Sequence, residues 1–392
     1  MDAAERVRYP GAMGAPLRVA VNTLSVVPRR TGGGETYLVN LLDRLSRRES
    51  ARLLLLTSDL NESLFEPFRD RVELRRVPLA GRATVLRLAA EHLLVSALAR
   101  GWGADVLFAP GNAIPFLSLI PTVLAIQSMH YSIVPEQMSP FRVAYFSRFV
   151  PIAGRRSARV IAVSADIARR LAAVARVGPS RVRVVYEGFD PRFCRVTGGD
   201  AIDAALAPYG VARPFLLFVS SLNAFKNPDK AIRAFAALDR PALRLVIVGR
   251  DNTGTLERWR ALAAELGVAE RTTFLGFVDN AKLPAFYSAA ELLLYPSAVE
   301  TFGLPPLEAM GCGLPVIASN RTSVPEIVGD AGLCVDPDDI GALAGAIRRV
   351  LDDGALRADL VARGHRRLAA FSWERAADET LEVLAAAAGR AP

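Results

Sequence analysis

The feature that most limits what this chain folds into is a rhythm. Short, almost continuously apolar runs are each followed by a polar or glycine turn and then by a stretch with helical spacing. The runs RVAVNTL (18–24), ARLLLLTS (51–58), ADVLFAP (104–110), TVLAIQ (122–127), ARVIAVS (158–164) and VRVVYEG (182–188) have the length and composition of buried strands. Helical patterns lie between them over Glu35–Arg47, Val85–Arg100 and Phe141–Arg156, and in the first of these Tyr37, Leu38, Leu41, Leu42 and Leu45 share one side. Strands alternating with helices predict a parallel sheet covered on both faces. EGFDP (187–191) closes this unit and the polar TGGDAIDAALAPYG follows as a linker. The rhythm restarts at Phe215–Ser220 and runs through LRLVIVG, TFLGFV, ELLLYPS, PVIAS and GLCVDP before ending in helical sequence. The expected fold class is α/β with two units in tandem: residues 1–190, a linker over 191–210, residues 211–370, and a closing helix over 371–392.

At 392 residues the chain is long enough for two cores, and 51% apolar against 22% charged residues marks a folded globular protein. Cys194, Cys312 and Cys334 are widely spaced and lack metal-ligand spacing, which fits small buried side chains in a reducing compartment. The opening MDAAERVRYPGAMGAPLRVA has no apolar core of secretory-leader length. The most apolar long stretch, Val106–Ile126, is interrupted by Pro110, Gly111, Pro115 and Pro121, which argues against a spanning helix. A cytoplasmic location is expected.

The net charge of +8 is uneven: residues 1–190 carry 26 basic and 16 acidic side chains, residues 191–392 carry 22 and 24. Arg75-Arg76, Arg82, Arg87, Arg155-Arg156, Arg159, Arg169-Arg170, Arg176, Arg181 and Arg183 make the first half a basic face, suited to an anionic surface or simply to water. No aromatic platform is interleaved with them, which counts against nucleic acid.

The chemistry concentrates in Tyr295–Pro337. Glu300 and Glu308 lie roughly 80° out of alignment if both were helical, so the first belongs to a loop and the second to the helix behind it, both facing one cavity. Phe302-Gly303-Leu304 precedes Pro305-Pro306 at a helix start, where unpaired amides and the positive end of the helix dipole make an anion site. Carboxylates beside such a site find partners in hydroxyls. An anion and a polyol side by side describe a sugar nucleotide; a solvated loop acid and a dipole-complementing helix acid are the plainer reading.

The stretch resembles, nearly residue for residue, the donor-binding segment of the family 4 glycosyltransferases, retaining enzymes of the GT-B fold. Their pattern reads E-x-F-G-L-P-x-x-E-A-M-A-x-G-x-P-V-I-A-S, and only Gly311 departs from it, standing where the family has alanine. GGGETYLVNLL resembles the family's G-G-x-E-x-Y segment, and FSWERAADETLEVLAAAA its closing helix. The resemblance implies two Rossmann-like domains facing across a cleft, with the acceptor in the first, the nucleotide sugar in the second, and the last helix crossing back to the first.

The resemblance also implies roles for residues. Glu300, with the backbone of Phe302, Gly303 and Leu304, would hold the donor sugar, and Glu308 the ribose hydroxyls. Gly276, Phe277 and Val278 would present a backbone edge to the nucleobase, and Gly33 and Gly34 would approach the diphosphate and the acceptor. Lys226, just after a strand and before a helix, would neutralise the departing diphosphate, where negative charge grows. The family has Gly-Arg some five residues earlier; here Ser220-Ser221 stands there, so one expected cation is missing. At the strand end where the family carries a histidine this chain has Gln127, with His130 three residues later as a substitute if the loop bends. An amide donates to a sugar hydroxyl but performs no proton transfer. No metal site or cofactor is expected, since helix dipole and lysine supply the charge.

The expected activity is retaining transfer of a sugar, with a mild leaning to mannose, from a nucleoside diphosphate sugar to a hydroxyl acceptor in polysaccharide or glycolipid assembly. A lipid-linked acceptor would give the basic first domain an anionic membrane surface to meet. A non-catalytic nucleotide-sugar-binding subunit and an epimerase or phosphorylase on the same plan remain as alternatives.

Overall fold

The computed structural model of the chain describes residues 15–28, 32–78, 84–112, 114–115 and 118–390. Arg82 of the basic clusters and the extreme ends of the first and last expected segments lie outside the described residues. Among the described residues thirteen strands form two parallel sheets. The first holds β1 (Leu17–Asn22), β2 (Ala51–Thr57), β3 (Glu73–Arg76), β4 (Val106–Ala109), β5 (Thr122–Ile126), β6 (Arg159–Ala162) and β7 (Val182–Val184), in the order β3-β2-β1-β4-β5-β6-β7. The second holds β8 (Phe215–Val219), β9 (Arg244–Val248), β10 (Thr272–Gly276), β11 (Leu293–Tyr295), β12 (Val316–Ser319) and β13 (Gly332–Val335), in the order β10-β9-β8-β11-β12-β13. Central strands such as β4, β5 and β8 are buried along their whole length, which is why they read as unbroken apolar runs.

The order of each sheet reverses once, between β1 and β4 and between β8 and β11. Loops leaving neighbouring strands part at such a point and open a crevice at the carboxyl end of the sheet. The loop after β8 carries Lys226 and the loop after β11 carries Glu300, so these two residues flank the crevice of the second sheet.

Three departures from the sequence reading have local causes. Strand β3 lies outside the apolar runs: ELRR is polar because it is the sheet edge, where Glu73 accepts from Trp102 Nε1 at 2.7 Å and Arg76 pairs with Glu62 at 2.8 Å. Charges of this kind also deter edge-to-edge pairing. The pattern over Val85–Arg100 forms two helices, Thr84–Leu93 and Val95–Trp102, parted at Leu94, whose φ of −104° and ψ of −35° loosen the right-handed turn without leaving it. The stretch expected to be a linker contains a helix, Gly199–Leu206, because Ile202 and Leu206, one turn apart, are both buried in the core.

The closing helix, Trp373–Ala387, packs on the first sheet's side, against the helix Gly33–Leu45. Arg44 pairs with Glu374 at 2.6 Å, Arg48 with Asp378 at 2.8 Å, and the Tyr37 and Trp373 rings meet edge-on at 6.2 Å. Gly188 makes this contact possible, since a Cβ there would come within 2.3 Å of the Trp373 backbone nitrogen and ring.

Buried in the same seam is Glu187, whose carboxyl is pushed up to about 8 by burial, while its charge in turn adds to the rise of the buried Tyr37 hydroxyl. A glutamate whose folded value lies above its ordinary 4.5 contributes stability that is whole below that value and is lost as pH rises through the folded value. Glu187→Gln keeps the shape without the ionisation. Its melting temperature relative to wild type is therefore expected to climb between about pH 5 and pH 8.5, by on the order of a few degrees in thermal scans.

Candidate active site

The loops after β8 and β11 are joined by their own backbones before any ligand is considered. Ala298 N donates to Phe225 O at 2.8 Å, Asn227 Nδ2 to Pro296 O at 2.8 Å, and Lys226 Nζ to Val299 O at 3.4 Å. Asn227 adopts a φ of 56°, a conformation asparagine tolerates better than most residues, and this turns the chain from Lys226 into the helix Pro228–Ala236. The result is an ion pair between Lys226 Nζ and Glu300 Oε2 at 2.7 Å, with Glu300 only 7% exposed. Tyr295 donates its hydroxyl to Glu300 Oε1, and Glu300 N donates to Thr322 Oγ1 at 3.0 Å. Phe302, Gly303 and Leu304 follow directly; Gly303 has a φ of 108° and precedes the helix Leu304–Gly311 with its two prolines in the first turn.

The first sheet supplies the facing wall. His130 packs against Phe225 with ring centroids 5.1 Å apart and planes tilted by 48°, and its Nδ1 is bonded to Ser128 Oγ. Burial, with Lys226 adding to it and Glu300 partly offsetting it, pushes the imidazole down to about 4, so His130 is neutral at ordinary pH. Its Nε2 is buried without a partner, and so are Gln127 Nε2 and Asn223 Oδ1. Orphaned buried polar atoms are rare in folded proteins and carry a desolvation penalty. These three sit on the loops that flank the Lys226–Glu300 pair, and together offer a hydroxyl-rich molecule donors and acceptors. Gln127 also explains a glycine: a Cβ on Gly34 would lie 2.8 Å from Gln127 Oε1. Gly33, in contrast, has open space at that position.

Glu308 stands on the helix Leu304–Gly311, which follows the Glu300 loop. It lines a cavity of about 200 Å³ with Glu35, Asn40, Asp190, Asn280 and Trp373. Glu300 accepts from the Tyr295 hydroxyl and Glu308 adds its charge to the rise of that same hydroxyl, so the loop acid and the helix acid stand near one another. Tyr287 donates to Glu308 Oε2 at 2.7 Å, and burial with the nearby Asp190 pushes this carboxyl up to about 7 against that hydrogen bond. Gly276, Phe277 and Val278 lie at the end of β10, where Gly276 has a φ of 66° and Phe277 is exposed. Ser221 is half-buried beside Gly249, whose added Cβ would meet Ser221 Cα at 3.3 Å. Among the described residues no cluster of His, Cys, Asp and Glu is placed to hold a metal ion.

The two walls are tied to each other through residues the sequence reading passed over. Gln137 Oε1 accepts from Phe225 N at 3.0 Å, and Ser164 Oγ donates to Thr301 O at 2.7 Å. Glu326 accepts from Ala165 N at 2.6 Å and from Asp166 N at 3.1 Å, capping the helix Ala165–Ala173 across the cleft. Ser164 stands one position before a helical run, which is a cap signal. For Glu326 and Gln137 no local pattern existed, since their partners lie far away in the chain.

The chain matches two family models, "Glycosyltransferase Family 4" over residues 31–193 and "Glycosyl transferases group 1" over residues 209–367. It is 37% identical over 173 residues to O-antigen chain mannosyltransferase B of Escherichia coli, covering 43% of this chain and 45% of that protein. It is 32% identical over 284 residues to D-inositol 3-phosphate glycosyltransferase of Mycobacterium marinum, covering 69% of this chain and 58% of that one. The chain thus spans about half the length of the curated relatives it matches. The fold is that of Anabaena HepE in complex with UDP and glucose, with a TM-score of 0.75 at 23% identity over 94% of this chain and 99% of that one. It is also that of WaaG, a glycosyltransferase involved in lipopolysaccharide biosynthesis, with a TM-score of 0.72 at 19% identity over 93% and 99% of the two chains. Two parallel α/β sheets, a closing helix that returns to the first of them, and two family models that between them span most of the sequence agree: this chain belongs to the family 4 glycosyltransferases of the GT-B fold.

Proposed function

We propose that this protein transfers a hexose, with mannose favoured, from a nucleoside diphosphate sugar to a hydroxyl acceptor with retention of anomeric configuration. The observation that carries this reading is the Lys226–Glu300 pair at the crevice of the second sheet, with the orphaned nitrogens His130 Nε2 and Gln127 Nε2 on the first sheet's side. In this reading Glu300 binds hydroxyls of the donor sugar, and Lys226 stabilises the charge that grows on the diphosphate as the glycosidic bond breaks. Leu304 and the start of its helix add the positive end of a dipole. Glu308 holds the ribose in the adjoining cavity. His130, neutral and held through Nδ1, offers Nε2 to a donor-sugar hydroxyl, and Gln127 offers its amide. The protein supplies no carboxylate nucleophile in this scheme: the departing phosphate oxygen takes the acceptor's proton on the same face, so retention follows. Charge stabilisation by Lys226 and the helix needs no resident metal. The bonds from Gln137, Ser164 and Glu326 hold the walls in the closed arrangement that excludes water.

The relatives named for O-antigen mannosyl transfer and lipopolysaccharide biosynthesis support an acceptor in envelope polysaccharide or glycolipid assembly. Two exposed apolar side chains support work at a membrane surface: Phe141 and Leu93 are 67% and 68% exposed, and Phe141 shares the helix Pro140–Arg156 with the exposed Arg142, Arg148 and Arg156. Apolar side chains among arginines bind anionic lipid surfaces from the side. No helix among the described residues is long and apolar enough to cross a membrane.

Three measurements test these readings. With a donor panel and a candidate acceptor, product NMR is expected to show the donor's anomeric configuration, and inversion would overturn the mechanism; turnover is expected to survive chelation of divalent ions. Lys226→Gln is expected to lower kcat on the order of 100-fold while nucleotide binding falls far less; an unchanged kcat would remove Lys226 from the chemistry. In vesicle sedimentation the protein is expected to prefer anionic over neutral vesicles, less so at high salt, and Phe141→Asp is expected to weaken this without changing turnover on a soluble acceptor.

A further inference from the structure

Asn112 lies in the loop after β4, and Gln127 and Ser128 lie in the loop after β5. One side chain ties the two loops together. Gln127 N donates to Asn112 Oδ1 at 3.0 Å, and Asn112 Nδ2 donates to Ser128 O at 3.1 Å. Asparagine suits the place, since its φ of 65° lies in the left-handed region that this residue tolerates and its amide offers a donor and an acceptor at once. Beyond the tie the chain turns at Met129, which is fully buried. Ser132 donates back to Met129 O from its amide at 2.9 Å and from its hydroxyl at 2.8 Å. His130 thus meets the Phe225 ring from a turn that is fixed on both sides.

Ser128 Oγ is the partner of His130 Nδ1, and it also accepts from His130 N at 3.4 Å. A hydroxyl has one proton to give. With the His130 amide donating to it, the acceptor within its reach among the described residues is Nδ1. Nδ1 then presents its lone pair, and in a neutral imidazole the proton stands on Nε2. That nitrogen is the buried one without a partner. The Gln127 amide nitrogen is orphaned in the same way, while Gln127 Oε1 lies beside Gly34. Both unspent nitrogens on this wall are therefore N–H donors, and what they lack is an oxygen.

We propose that Ser128 is a positioning residue that holds His130 in the Nε2–H tautomer, so that His130 serves the donor sugar as a hydrogen-bond donor and takes up no proton during transfer. Asn112 holds the backbone on which Ser128 stands. The proposal rests on the transfer reaction proposed above and adds to it the direction of this hydrogen bond. The acceptor's proton still goes to the departing phosphate oxygen, and His130 keeps its own.

The test is ring-nitrogen NMR of the full chain with isotope-labelled histidine. The chain has three histidines, and the His130 signals are those missing from His130→Gln. Wild type is expected to show a protonated Nε2 and a lone pair on Nδ1; a protonated Nδ1 would overturn the proposal. With GDP-mannose and UDP-glucose as donor probes, Ser128→Ala is expected to lower kcat about 10-fold while nucleoside diphosphate affinity stays within about twofold. Ser128→Thr keeps the hydroxyl and is expected to stay near wild type. His130→Gln, whose amide N–H can stand in for Nε2–H, is expected to turn over about 10-fold faster than His130→Ala. An unchanged kcat in Ser128→Ala, or a His130→Gln no better than His130→Ala, would overturn the proposal. A joint fall of nucleotide affinity and melting temperature in Ser128→Ala would mark a purely structural role and overturn it too. If wild type binds neither probe, the transfer reaction itself falls, an outcome distinct from a protonated Nδ1.

Discussion

Everything at the cleft depends on an ion pair that is nearly withdrawn from water, Lys226 to Glu300, with side chains 13% and 9% exposed. Desolvating two charges costs several kcal/mol per ion, and their attraction alone rarely offsets it. The pair persists because its surroundings satisfy the remaining valences: the Tyr295 hydroxyl bonds one carboxylate oxygen, the Val299 carbonyl accepts from the ammonium, and the two loops are joined by backbone bonds. A buried pair of this kind is weak as a source of stability and strong as a device for position. It fixes a cation and a carboxylate at the point where the sheet's strand order reverses, before any substrate arrives.

The same loops are the ones that the first sheet's side grips. Gln137 bonds the amide next to Lys226, and Ser164 bonds the carbonyl next to Glu300. Glu326 adds a carboxylate to the exposed amides of a helix across the cleft, where the helix dipole favours it. The first sheet's side thus grips these loops one residue away from each member of the ion pair. A shift of that side moves the backbone that carries the charges, which is a mechanical link between the two walls.

Most of the fold was legible because parallel strands buried on both faces leave unbroken apolar runs, and β1, β2 and β4 through β13 stand where those runs stand. The failures share one cause, which is that tertiary placement and not local pattern decided the outcome. Edge strand β3 reads polar because its outer side meets water, and the helix Gly199–Leu206 was hidden in a sequence whose glycines and aspartates read as linker. At the site, the loop position of Glu300 and the helix position of Glu308 followed from their angular offset, but the Tyr295 hydroxyl on which both act was visible only in the fold. Gln127 and His130 were named from their position at a strand end, while the orphaned state of their nitrogens needed three dimensions to see. Contacts between residues more than a hundred positions apart, such as Ala165 with Glu326, leave no trace in a single sequence.

Gly188 closes against Trp373 with no room for a methyl group, while Arg44 and Arg48 hold the first turns of the same closing helix. The helix that ends the second half of the chain is therefore keyed to the surface of the first half, in the manner of a lock cut for one blade. Recombination between relatives feels this directly. A new second half joined at the stretch between the sheets brings its own final helix to a foreign slot, and a hybrid that keeps this seam has to exchange residues 371–390 together with the half on which they rest. Inheritance in such a protein proceeds by three pieces, even where the eye counts two.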